Sequence, residues 1–204
     1  MCMAPLNDDQ LENIRNQRKI QIMRAAIKVF ATNGFKLTKI SLIAKEAGIS
    51  HGLVYHYFKS KEEVLYESLE WAIELNQTRK FLNELSEMAL SPLEKIRKFT
   101  KFALSSSKSE SSDIFRIIQH LERTEGVPSH ILEFTKNVGM MYVEFFIPIF
   151  IEGQEAGEII QEDPEELVGL FLTIISGVIA DDPDYWHENM DRKIAIFLRM
   201  ITKR

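Results

Sequence analysis

Apolar residues recur every three to four positions along almost the whole chain, and alternation of the kind strands need is missing, so the pattern predicts an all-α fold. A first helix is expected over about residues 13–33, with Ile20, Met23, Ile27 and Phe30 on one face and Asn33-Gly34-Phe35 at its end. Two short helices follow at about 39–46 and 50–57, and a fourth at about 61–78 links this start to the rest. Ser91-Pro92 opens a fifth, because proline suits a first helical turn; the serine-rich run 105–112 closes it as a loop. A sixth covers about 112–124, Gly126-Val127-Pro128 breaks it, and a seventh runs over 129–155 with Pro148 as a kink. Asp163-Pro164-Glu165-Glu166 starts an eighth, the acidic loop 181–184 ends it, and a ninth spans about 186–202.

The short pair at 39–57 carries the most information. Thr38 stands where an N-cap belongs, before the periodic run Ile40, Ile43, Ala44, Ala47. Gly48 sits just past the last helical residue, where a left-handed backbone costs least without a Cβ. Ser50 is placed to cap the next helix, whose Val54 and Phe58 share a face that should pack on Ile43 and Ala44. His51, Gly52, Leu53, Tyr55, His56 and Tyr57 are left on or near the outward side. Ser60 with Glu63 reads as a capping box for the next helix, with Lys61 in its first turn, where a phosphate would offset an unfavourable cation–dipole arrangement. Two short helices about a tight turn, the second with an outward polar and aromatic face, form a helix-turn-helix of the kind that enters the DNA major groove.

Charge sharpens this picture. The 204 residues carry a formal net charge of -5, which by itself argues against nucleic acid. Its distribution reverses the argument: residues 13–61 hold ten lysines or arginines against one acid, Glu46, while the acids concentrate elsewhere. A basic module on an acidic body is the footprint of local phosphate binding.

With those residues in view, the segment of roughly 13–65, through the string RKIQIMRAAIKVFATNGFKLTKISLIAKEAGISHGLVYHYFKSKEEVL at 18–65, resembles the DNA-binding domain of the TetR family of transcriptional regulators. The resemblance covers about a quarter of the chain and departs at His51, where many members carry Lys, Arg or Gln. It implies that Thr38, Tyr55 and Lys61 contact phosphates, that Tyr57 and Lys59 lie near the backbone, and that Ser50, His51, Gly52, Leu53 and His56 face the bases; Lys39, beside Thr38, joins the DNA-facing set. No bidentate Arg or Asn is offered, so DNA shape should carry part of the specificity. The expected organisation is a three-helix DNA-binding head, residues 1–60, and a larger helical body for effector binding and dimerisation, residues 61–204, in about nine helices.

In that body, Phe134, Val138, Met141, Tyr142 and Phe145 follow helical spacing, with Phe99, Phe102, Phe115 and Ile118 available to face them. Such walls suit a small apolar or aromatic effector. The eighth helix is apolar nearly all round and holds Gly169, Thr173, Ser176 and Gly177, small residues that let another helix approach. With Ile194, Phe197, Leu198 and Ile201 of the ninth, they are the expected homodimer interface, as the resemblance also implies. The partners expected are therefore double-stranded DNA, a second copy of the chain and a small effector, with no membrane, metal or cofactor.

The remaining features narrow the class. Cys2 is the one cysteine, which fits a reducing cytoplasm and no internal disulfide. The polar, acidic start is no signal peptide, and the longest charge-free run, Leu167 to Ala180, is short for a membrane span. No dinucleotide or phosphate-loop motif and no zinc-spaced cysteine set is present, so an enzyme is not expected. The readings that compete are a DNA binder controlled by a partner or acting architecturally, and a helical small-molecule binder.

Overall fold

Caps and glycines decide where the helices begin and end. The computed structural model describes residues 7–75, 78–105, 110–180 and 188–203. Ten helices lie among them: α1 (Asp8–Leu37), α2 (Ile40–Ala47), α3 (His51–Tyr57), α4 (Lys61–Leu75), α5 (Thr78–Glu87), α6 (Pro92–Ser105), α7 (Glu110–Glu122), α8 (Ser129–Glu155), α9 (Pro164–Ala180) and α10 (Met190–Leu198). Among the described residues there is no strand, only an isolated antiparallel bridge between Ile159 and Thr202.

The all-α expectation holds, with three differences of detail. The first helix starts earlier than its apolar stripe, because Asn7 and Gln10 form a reciprocal capping box. It breaks where expected, at Gly34, whose φ of 69° is non-helical. The second difference is α5, a helix the sequence reading did not assign; its Leu82 and Leu85 are buried although most of its residues are polar. The third is Thr38. The N-cap of α2 is Lys39, which makes no side-chain cap bond, whereas Thr38 donates its hydroxyl to the Gly34 carbonyl at 2.7 Å and closes the end of α1. Helix α8 runs unbroken through Pro148. The loops expected at 105–112 and 181–184, and the start of the ninth helix at 186, fall wholly or partly outside the described residues.

Two apolar cores organise the molecule. One joins α1–α4 to Ile114, Ile117 and Leu121 of α7 and Ile131 of α8. The other gathers α5, α6, the second half of α8, α9 and α10 around Phe99, Phe146, Phe150 and Phe171. Helix α7 thus gives one face to the head and another to the body. Helix α8 is the one described helix long and apolar enough to cross a membrane by length and composition; here it packs on α6, α7 and α9.

Candidate nucleic-acid interface and effector cavity

The recognition helix is fixed from three sides. Val54 and Phe58 are fully buried against Ile43 and Ala44 of α2, as the four-residue spacing predicts. Gly48 takes φ 66° and ψ 33°, so the turn between α2 and α3 uses the left-handed backbone that glycine allows. Gln21 of α1 reaches across and donates to the Ala47 carbonyl at 2.7 Å, holding the end of α2. Ser50 accepts from the Leu53 N–H at 3.3 Å and starts α3. An ion pair between Lys19 and Glu67 ties α1 to α4.

This scaffold leaves one face of α3 open. His51, Gly52, Tyr55 and His56 are exposed, Leu53 and Tyr57 half-buried, and Tyr55 meets His51 edge-on at 5.0 Å. Lys39 and Lys59 are exposed on either side of this face along the chain. The surface carries hydroxyl, imidazole and ammonium donors on a rigid support, which suits phosphate oxygens and base edges.

Two expected contacts sit differently. Thr38 is 1% exposed, its proton committed to Gly34, so it braces the α1–α2 corner and stands apart from the presented face. Lys61 donates to the Phe35 carbonyl at 2.8 Å and lies 4.3 Å from the centre of the Phe35 ring. It clamps the start of α4 onto the end of α1, where a cation meets the negative end of the helix. The capping box at α4 is shifted by one residue: Ser60 accepts from the Glu63 N–H, but the Glu63 carboxylate accepts from the Lys59 N–H. Beside it, the Glu62 carboxyl is held below its ordinary range, first by its own backbone N–H and then by Ser60 and Lys61.

The body holds a cavity of about 400 Å³ between α6, α7, α8 and α9, touched by Ile73 of α4 and Arg79 of α5. Six residues expected to hold an effector line it: Phe99, Phe115, Ile118, Val138, Met141 and Tyr142. Three do not. Phe102 stacks on Phe81 at 4.0 Å, Phe134 packs on Tyr66 at 5.3 Å in the head-side core, and Phe145 turns to Phe146 at 5.1 Å. Helical spacing placed all nine on apolar faces without distinguishing which face met the cavity. Of the polar rim, sequence reasoning singled out Glu122, as a candidate partner for a cationic effector, and missed Arg79, Gln119 and Lys136, and also Gly139; no periodic signal marks an exposed charged residue as a pocket edge.

The expected dimer residues also divide. Gly169, Thr173 and Ser176 line the cavity. Ile194, Leu198 and Ile201 are buried inside the protomer, at 1%, 1% and 8% exposure, so they belong to its own core and not to a contact surface. The stripe on α10 was read correctly as apolar, but it packs on α6 and α9 of the same chain. What faces outward, away from the cavity, is Leu170, with Gly177 at i+7, and Ile196 with Met200 at i+4. Phe171 stacks on the half-buried Phe197 at 5.8 Å, so these two outward stripes lie on touching helices.

Comparison with known proteins agrees with this geometry. Residues 22–67 match the model of the bacterial regulatory proteins of the tetR family. The transcriptional repressor KstR2 of Mycolicibacterium smegmatis is 27% identical over 159 residues, 76% of this chain and 74% of that protein. The structure of the ketosteroid transcriptional regulator KstR2 of Mycobacterium tuberculosis superposes with a TM-score of 0.75 at 21% identity, covering 92% of this chain and 96% of that one. AibR in complex with isovaleryl coenzyme A and operator DNA superposes with a TM-score of 0.71 at 19% identity, covering 85% and 96%. Residues 22–67 thus carry the DNA-binding segment of the bacterial regulatory proteins of the tetR family, and the chain as a whole shares the fold of these solved regulators.

Proposed function

We propose that the protein is a dimeric, non-catalytic repressor of the cytoplasm that binds a palindromic operator and is released from it by a small effector held in the body cavity. The observation that carries this reading is the double role of α7. Its Ile114, Ile117 and Leu121 pack in the head's core, while its Phe115, Ile118, Gln119 and Glu122 line the cavity. An effector that fits a slightly different placement of α7 shifts the population toward head spacings the operator does not accept. Helix α4, expected from chain order to couple the two parts, contributes Ile73 to the same cavity. AibR, held with an acyl coenzyme A and with operator DNA, gives a precedent for such a pair of ligands in this fold.

In a dimer, two α3 helices about 34–36 Å apart read successive major grooves. The outward stripe of Leu170, Ile196 and Met200 supplies an apolar face for the partner. Light scattering at micromolar concentration should give the dimer mass, and Leu170→Glu should give the monomer.

The deciding experiment is fluorescence anisotropy against DNA tiling the gene's own upstream region, in about 150 mM salt, where phosphate contacts alone bind weakly. Tight binding to one tile, weakened in Tyr55→Ala and Lys59→Ala, is the expected result. Equal binding to every tile at low salt and none at higher salt would replace the operator-specific reading with an architectural one.

A further inference from the structure

The chemistry of the effector can be read at the rim of the cavity. The walls are apolar and partly adaptable: Phe99, Phe115, Ile118, Met141, Leu172 and Ile175. Its charged residues are Arg79 on α5, Lys136 on α8 and Glu122 on α7, all exposed. Neither cation is in an ion pair among the described residues. Arg79 lies in the first turn of α5, where the helix's own partial positive charge adds to the guanidinium. Two cations against one carboxylate leave the rim positive, beside a pocket that takes hydrocarbon.

We propose that the effector is an amphipathic anion, with its hydrocarbon body in the cavity and its negatively charged head at the rim between Arg79 and Lys136. This rests on the cavity being the effector site. A guanidinium binds a carboxylate or phosphate through two parallel hydrogen bonds, and an ammonium adds a point charge. A cationic head would find Glu122 alone, opposed by both cations. The volume of about 400 Å³ lies low in the usual range for ligand pockets. It has room for a hydrocarbon body but not for a nucleotide as well, so a coenzyme A thioester would keep its phosphates outside, past the same two cations. The anchor also explains how a head group acts at a distance. Helix α5 begins three residues after α4 ends, and α4 is built into the head's core, so an anion drawn between α5 and α8 pulls beside the segment that carries the head.

The test is calorimetry on the full chain with four ten-carbon probes below their micellar concentrations: decanoate, decanoyl coenzyme A, decanol and decyltrimethylammonium. Decanoate should bind about tenfold more tightly than decanol, and the ammonium most weakly. Arg79→Gln and Lys136→Gln should each weaken decanoate several-fold and leave decanol unchanged, while Glu122→Gln should tighten decanoate. Both anions support the assignment, and the tighter of the two identifies the free acid or the thioester as the natural source. If decanol matches decanoate, or the ammonium binds best, the anion assignment falls and the cavity reading survives. If none of the four binds, both fall together.

Discussion

The head and the body are made of the same kind of helix but are specified in different ways. In the head, turn chemistry does the work: Gly34, Gly48, Ser50 and Ser60 each fix a corner, and a small set of side chains, Ile43, Ala44, Val54 and Phe58, locks α3 in one orientation. The polar side chains of α3, His51, Tyr55 and His56, face out. The body is held by aromatic mass instead. Phe99, Phe146, Phe150 and Phe171 form a chain of ring contacts at centroid distances from 4.6 to 6.4 Å, and a cavity opens beside them, lined in part by methionines and glycines. A corner fixed by a glycine tolerates one geometry, whereas a wall with Met140, Met141 and Gly139 tolerates several. The first property suits reading a fixed DNA shape, and the second suits accommodating a ligand.

Helix α7 belongs to both regions. Ile117 is 2% exposed in the head-side core, so Ile117→Ala should destabilise the whole chain by about 3 kcal/mol in urea unfolding. A cost near zero would mean that α7 is not part of the head's core and that head and body are energetically separate. In the body, Gly153 leaves a space already filled by Ile159, whose Cδ1 lies 2.5 Å from where a Cβ would be. Gly153→Ala should cost about 2 kcal/mol of stability, and Gly153→Ala with Ile159→Val should recover part of it. In the head, Gly48 has open space around it but a left-handed backbone, so Gly48→Ala should cost only about 1 kcal/mol. The same change should cost operator affinity in addition, because the turn aims α3. The contrast is strain from crowding in the body against strain from backbone conformation in the head.

The smallest effect is electrostatic. A folded-state carboxyl pKa below its unfolded value means that Glu62 stabilises above the ordinary carboxylate range, and that this contribution is lost as pH falls through the lowered value. Glu62→Gln should therefore cost about half a kcal/mol at neutral pH, as expected for a carboxylate at a helix start, and the gap from the parent should close in acid.

Much of the head was legible because its signals are local. A glycine after a helix, a serine before one and two apolar residues four apart each constrain a few neighbouring residues, and the sequence shows all of them. Thr38 escaped because a threonine between two helices can cap the one it follows or the one it precedes, and only the position of the Gly34 carbonyl decides. Helix α5 escaped because Leu82 and Leu85 are few among polar residues, and Asn7 because its capping box precedes the apolar stripe used to find the helix. In the body, periodicity identified apolar faces but not their partners. Ile194 and Leu198 pack on their own protomer, while Ile196 on the same helix and Met200 in the turn after it, each two positions further along, face outward. That choice depends on where α6 and α9 lie, which no local pattern records. Arg79 and Lys136 were invisible for the opposite reason: nothing distinguishes a charged residue at a rim from one in open solvent.

Filling the cavity should change how the heads hold DNA. Gly139 lines the cavity and has no atom within 4 Å of where a Cβ would stand, so a side chain can start there, and Gly139→Phe is the variant that competes with a ligand for the cavity. The measurement is operator affinity for the parent and for Gly139→Phe, each with and without saturating decanoate whose binding to the parent calorimetry has established. Decanoate should lower the parent's operator affinity about tenfold or more and leave the Gly139→Phe affinity unchanged. Decanoate bound in the parent with operator affinity unmoved, or the same loss in both proteins, would contradict that coupling.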